Sequence, residues 1–180
     1  MKTEKAYFAG GCFWCLEASF KLVPGVISAN PGYTGGTTEY PTYEQVCSGK
    51  TGHAEATEIE YDPKKVSYGE LLNIFFKIHD PSQENRQGND VGSQYRSAIF
   101  YTSEEQRGIA EEYLQNLRDA GEYDTVCTEL RPLEQFWPAE AYHQDYFEKH
   151  PSEAYCQAII RPKVEKTRKA LEEHSNGQTN

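Results

Sequence analysis

This chain of 180 residues has no apolar run long enough to span a bilayer. It also lacks a basic excess. Against 28 Asp and Glu stand only 18 Lys and Arg, giving a formal net charge of -10. Nucleic acid needs a basic face to bind, so neither nucleic acid nor a membrane is expected as a partner. Cysteines are few, odd in number and scattered at positions 12, 15, 47, 127 and 156, which argues against a disulfide framework. One C-x-x-C without a second pair falls short of a four-ligand zinc site, so no metal is expected. The glycines do not follow phosphate-loop spacing. The first residues, Met1-Lys2-Thr3-Glu4-Lys5, lead into a strand without the apolar core of a signal peptide. A cytoplasmic monomer with reduced thiols is the expectation. There is no internal repeat, linker or low-complexity block, and the length suits one domain over residues 1–180. Its core is expected over about 4–150, with a C-terminal segment at 151–180.

What is present centres on Gly10-Gly11-Cys12-Phe13-Trp14-Cys15-Leu16-Glu17. The apolar residues 6–9 suit a strand, the Gly pair permits a sharp turn, and helical spacing follows through Leu16, Phe20 and Val23. Cys12 therefore falls at or near a helix N-terminus, where unpaired N–H groups and the dipole favour thiolate over thiol. The bland reading of Cys12 is a small buried hydrophobe. Flanking glycines leave room for a substrate instead, and Phe13 and Trp14 are expected to set aromatic rings at its mouth. Such rings suit methyl and thioether groups.

Further along, residues 26–29 read as strand and Pro31 to Gly36 as a glycine-rich turn. Residues 41–47 read as a short helical turn. Residues 53–61 alternate, placing Glu55, Thr57, Ile59 and Tyr61 on one face and Glu58 and Glu60 on the other. Glu55 is then either a buried carboxyl with a raised pKa or a solvated group at a strand end; both readings stand. Ser67 and Glu70 form a capping box ahead of the stripe Tyr68, Leu71, Leu72, Phe75, Phe76 and His79, in which His79 reads as a core histidine. Residues 82–93 form a long polar loop, 95–101 a strand, 104–120 a helix capped by Ser103, and 125–131 a strand. A short helix is expected near 142–149. A charged, helical end follows Pro162, and residues 175–180 are expected to be loose. The pattern predicts an α+β fold, a small mixed β-sheet with helices packed against one face. Its β-α-β core is expected to be of ferredoxin-like type, with an irregular C-terminal segment.

Taken together, Gly11-Cys12-Phe13-Trp14, Gly32-Tyr33-Thr34-Gly35-Gly36, Pro41-Thr42-Tyr43, Gly52-His53-Ala54-Glu55, His79-Asp80-Pro81, Arg86-Gln87-Gly88-Asn89-Asp90 and Gln94-Tyr95-Arg96-Ser97 resemble, in order, the motifs of peptide-methionine sulfoxide reductase A. The resemblance runs from about Phe8 to about Cys156. It implies a peptide-methionine (S)-S-oxide reductase acting on oxidised methionine in proteins or free. In this reading Cys12 is the nucleophile, Phe13 and Trp14 cage the S-methyl group, and Glu55 supplies a proton to the sulfoxide oxygen. Tyr43 and Tyr95 are hydroxyl donors to that oxygen, and Asp90 helps organise the site. The resemblance also implies a sulfenic acid on Cys12, a disulfide, and regeneration by thioredoxin or a similar dithiol, with no cofactor. The resemblance favours Cys156 as resolving cysteine, since it lies on the C-terminal segment where the family often carries one; Cys15, standing where many relatives have glycine, is the rival or relay, because i+3 at a helix start is close enough to pair directly. Cys47 and Cys127 read as packing residues. Two other readings compete: a general C-x-x-C thiol-disulfide oxidoreductase, and a metal-binding redox module built on Cys12, Cys15 and His53.

Overall fold

A computed structural model describes residues 1–177. In chain order its main elements are β1 (Glu4–Ala9), α1 (Phe13–Phe20), β2 (Val26–Thr34), α2 (Tyr43–Cys47), β3 (Ala54–Tyr61) and α3 (Tyr68–Lys77). The hairpin β4 (Arg86–Gln87) and β5 (Asp90–Val91) follows, then β6 (Ala98–Tyr101), α4 (Glu104–Asp119), β7 (Glu129–Pro132), β8 (Phe136–Pro138), α5 (Tyr146–Lys149) and α6 (Arg161–Gly177). The large sheet has the order β7-β6-β1-β3-β2-β8. β1 runs antiparallel to β3 and β6, β2 antiparallel to β3 and β8, and only the β6–β7 pair is parallel. The inner four strands with α1 and α3 make the order β-α-β-β-α-β, the ferredoxin-like core expected from the sequence.

Strand alternation decides which side chains meet the helices. On β1, Ala6 and Phe8 enter the main core with Leu16, Phe20, Ile59, Leu71, Leu72 and Phe75, whereas Tyr7 and Ala9 face a smaller cluster on the other side. Burying each large apolar side chain contributes about 1.5–3 kcal/mol, so α3 is held mainly by its apolar stripe. Its start is set by the capping box: Ser67 Oγ accepts from Glu70 N at 3.1 Å, and Ser67 N donates to Glu70 Oε2 at 2.7 Å. Glu58 and Glu60 lie on the opposite face of β3, where Tyr7 and Thr3 donate to them.

Several expectations need correction. β2 does not end near Ala29 but runs through Pro31, Gly32 and Tyr33 to Thr34. Gly32 is there because β8 crosses it: a Cβ would stand 2.3 Å from Phe136 Cζ and 2.5 Å from the Trp137 carbonyl. Residues 82–93 are not all loop, since they hold the β4–β5 hairpin, which Gln87 ties to the backbone of Asp80. β6 begins at Ala98, because residues 93–95 close a 3-10 turn. Residues 175–177 continue α6, and 178–180 lie outside the described residues. Cys47 is exposed and is not a packing residue; Cys127 is half-buried, its thiol 3.6 Å from the Ser82 carbonyl.

Candidate active site

The turn from β1 to α1 places Cys12 at the N-cap of the helix, with φ -69 and ψ 130. Gly11 takes φ +82, and a Cβ there would press on the Gln87 side chain at 2.9 Å. Its amide donates to the Tyr95 carbonyl at 3.1 Å, which brings the residue 93–95 turn to the sulfur. The cysteine is where the sequence put it. Cys12 is only 6% exposed. Burial, the hydrogen bond with the Cys15 thiol and the nearby Glu55 carboxyl push its pKa well above that of an ordinary cysteine. The Trp14 amide pulls the other way and loses. Burial therefore works against the thiolate that the end of a short helix favours.

Glu55 is 1% exposed, which removes the strand-end reading. β3 is an inner strand, and its alternation turns Glu55 towards α1. Oε1 accepts the Phe13 amide at 3.3 Å, while Oε2 is buried with no hydrogen-bond partner among the described residues. Burial raises the pKa to about 8, with Asp90 and Cys15 adding to it and the Phe13 amide opposing. At neutral pH the group is a protonated acid whose proton sits naturally on Oε2. Tyr43, the first residue of α2, and Tyr95 are both half-buried. Their hydroxyls are pushed up by burial and then by Glu55, so both remain donors. Asp90 on β5 accepts from Tyr155 Oη at 2.6 Å.

Phe13 is fully buried, not at the mouth as expected, with its ring 5.1 Å from His143 and 5.7 Å from Tyr33. Trp14 is the half-buried partner. It stacks on Tyr146 at 3.7 Å, meets Tyr155 edge-on at 5.9 Å, and donates Nε1–H to His143 Nδ1 at 3.1 Å. Cys15 and Cys156 share one apolar cluster with Cys12 and Phe13. Cys15 is held below its usual pKa, chiefly by the hydrogen bond with Cys12 and then by the Lys163 ammonium, against the effect of burial. Cys156, in a π-helical turn at Cys156–Ile160, is raised by burial.

The sequence reading missed Glu140, His143, Tyr155 and Lys163. Glu140 accepts from Tyr33 Oη, from the Tyr43 amide and from Tyr142 Oη, and so fixes the start of α2. None of these carries a local spacing signal; only Tyr155, beside Cys156, was adjacent to a residue already singled out. His53 is occupied by its own loop, accepting from the Gly36 amide and contacting the Thr38 carbonyl, so it does not join Cys12 and Cys15.

A buried acid, two phenols and a set of aromatic rings gather around the Cys12 turn, and relatives share the frame. Residues 4–175 match the family model described as peptide methionine sulfoxide reductase. The chain belongs to the peptide methionine sulfoxide reductase family. It is 51% identical over 175 residues to peptide methionine sulfoxide reductase MsrA of Picrophilus torridus, covering 97% of this chain and 99% of that one. It is 56% identical over 170 residues to the MsrA of Nautilia profundicola, covering 94% and 97%. Among solved structures, methionine sulfoxide reductase A of Corynebacterium diphtheriae superposes with a TM-score of 0.76 at 39% identity, over 84% of this chain and 76% of that one. The protein is accordingly an oxidoreductase that reduces peptide methionine sulfoxide. No helix among the described residues is long and apolar enough to cross a membrane.

Proposed function

We propose that this reductase acts on the S epimer of methionine sulfoxide with Cys12 as nucleophile and Glu55 as acid. The observation that supports it best is the buried, unpartnered Glu55 Oε2 beside an N-cap cysteine. A sulfoxide sulfur is a poor electrophile until its oxygen is protonated. Glu55 gives its proton to that oxygen as Cys12 sulfur attacks, and regains one from the Cys12 thiol. Tyr43 and Tyr95 donate to the same oxygen, where negative charge builds only as the reaction proceeds, so they stabilise the transition state more than the ground state. Trp14 receives the S-methyl group with the buried Phe13 ring packed behind it, and Asp90 orients the polar side. The attack forms a transient bond between Cys12 sulfur and the sulfoxide sulfur; the protonated oxygen then passes to Cys12, so that the S–O bond to methionine and the transient S–S bond break and an S–O bond to Cys12 forms. Methionine leaves reduced by two electrons, and Cys12 becomes a sulfenic acid.

A second thiol then condenses with Cys12 and expels water. Cys15 stands one helical turn from Cys12, its amide donating to the Cys12 carbonyl at 3.1 Å, which supports Cys15 as the first partner, with Cys156, in the same cluster, following by exchange. Thioredoxin or a similar dithiol reduces the final disulfide. The cycle uses thiols only and calls for neither metal nor cofactor. One catalytic domain, acting as a monomer in the cytoplasm, with Cys156 carried on the segment from 151 onward, accounts for the reading.

Glu55→Gln tests it. One positioned acid is worth about 10²–10⁴-fold, and reduction of a sulfoxide peptide should fall by that factor while disulfide exchange with a small thiol stays near the parent rate. A variant as active as the parent on the sulfoxide would remove the acid role.

A further inference from the structure

Lys163 lies in the first turn of α6, which packs across α1. Its Nζ stands 3.6 Å from the point a Cβ of Gly11 would occupy, directly over the catalytic turn, and its neighbours Ile160 and Val164 share one apolar cluster with Cys15, which brings the ammonium near enough to favour charge on that sulfur. The side chain is half-buried, so the ammonium keeps much of its strength as a partner. The reduction of the sulfoxide gives this cation no task. Cys15 does need one, because it is fully buried, where an unpaired thiolate is costly. Six groups face Cys15: Cys12 at the α1 N-cap, Glu55 on β3, Asp90 on β5, Tyr155 and Cys156 around the π-helical turn, and Lys163 on α6. Of these, only Lys163 carries positive charge.

We propose that Lys163 is a catalytic residue of the resolving step: its ammonium holds Cys15 as the thiolate that attacks the Cys12 sulfenic acid. The proposal rests on the reductase reading above. Cys15 sulfur displaces hydroxide from Cys12 sulfur, so an S–S bond forms and the S–O bond breaks. Cys15 is oxidised by one electron equivalent and Cys12 reduced by one. The departing hydroxide takes the Glu55 proton and leaves as water, and the proton lost earlier by Cys15 returns to Glu55 through solvent. Lys163 keeps its own proton throughout.

Thiolate fraction and intrinsic nucleophilicity oppose each other. Each tenfold gain in thiolate lowers nucleophilicity about threefold, which leaves a net gain of about threefold. The test uses the full chain with Cys47→Ser and Cys156→Ser, so that of the cysteines near the site Cys15 alone can resolve. A methionine sulfoxide peptide is added without reductant, the Cys12 sulfenic acid is trapped with dimedone at timed intervals, and both it and released methionine are read by mass spectrometry across pH. Lys163→Met should slow loss of the sulfenic acid about three- to tenfold at pH 7 and move the midpoint of its pH profile upward. Lys163→Arg should keep the parent midpoint. Unchanged decay in Lys163→Met overturns the proposal, and so does slower decay with an unmoved midpoint, which marks a structural role. Should Lys163→Met fail to fold, the parent profile decides: a midpoint at or above that of a free thiol overturns it. Absence of methionine from the parent would instead overturn the reductase reading beneath it.

Discussion

Trp14 donates its indole N–H to His143 Nδ1, and an indole can only donate, so His143 is neutral with its proton on Nε2. Burial lowers the histidine pKa and keeps it so. The imidazole lies 4.4 Å from the Tyr43 ring and 5.1 Å from Phe13, and its hydrogen bond holds the Trp14 ring flat against Tyr146. His143→Phe keeps the ring volume and removes the acceptor. An indole N–H left unpaired costs about 1–3 kcal/mol, and the freed Trp14 ring should raise KM for a sulfoxide peptide more than it lowers kcat. Steady-state kinetics read the split, and a fall in kcat alone would contradict this role. Glu140 acts similarly on the backbone, fixing Tyr43 through its amide rather than its hydroxyl.

The β2–β8 pair and the segment ahead of α6 are the elements on which the site depends beyond the ferredoxin-like core. β8 reaches Gly32 so closely that Gly32→Ala must displace Phe136 or the Trp137 backbone. Overpacking of this kind costs about 1–3 kcal/mol, to be read as a shift of the urea midpoint without a change in slope. The other element is the π-helical turn, which carries Cys156 and is anchored by the Tyr155 hydroxyl on Asp90 at 2.6 Å. Tyr155→Phe removes the anchor but keeps the ring against Trp14. Amide hydrogen exchange should then speed up over residues 153–160 while α3 stays protected, because α3 is held by apolar burial and not by that contact. Equal protection in both proteins would show that the anchor does not hold the turn.

For the whole molecule, the buried titratable groups set an unusual pH dependence. Glu55 is raised to about 8 and Glu17 to about 7, both chiefly by burial. The folded chain therefore holds more protons than the unfolded one above the ordinary carboxylate range, and stability falls as pH rises through 7 and 8. His79 works in the opposite sense. Burial lowers it to about 4, so the unfolded state binds the extra proton and stability rises with pH up to the ordinary histidine range. The two trends offset each other in mild acid; above about pH 6.5 the histidine contribution ends, and the decline from two carboxyls outweighs the opposite trend of one thiol, Cys15, held below its usual pKa. The melting temperature should drop between pH 6.5 and 8.5, and Glu55→Gln should flatten that drop, each carboxyl contributing at most about 1.4 kcal/mol per pH unit. A parent curve that climbs over this range would show that these carboxyls are solvated. The chain offers its own chemistry little substrate: Met1 is its single methionine, and it is 90% exposed, away from the core.

Much of this was legible in order of residues. Local spacing places Cys12 at a strand-to-helix turn, turns Glu55 to the same face as Ile59 and Tyr61, and marks the α3 cap, because those features repeat over a few residues and depend on backbone period alone. The motifs of the family lie in that same layer. Burial and distant partners do not. Whether Glu55 was wet, how far burial opposes charge on Cys12, and where Phe13 pointed depend on β3 becoming an inner strand and α6 closing over α1. His143 reaches Trp14 from 129 residues away and Glu140 reaches Tyr43 from 97. A sequence pattern carries the direction of a side chain, but desolvation and ion pairing depend on what the folded chain brings against it.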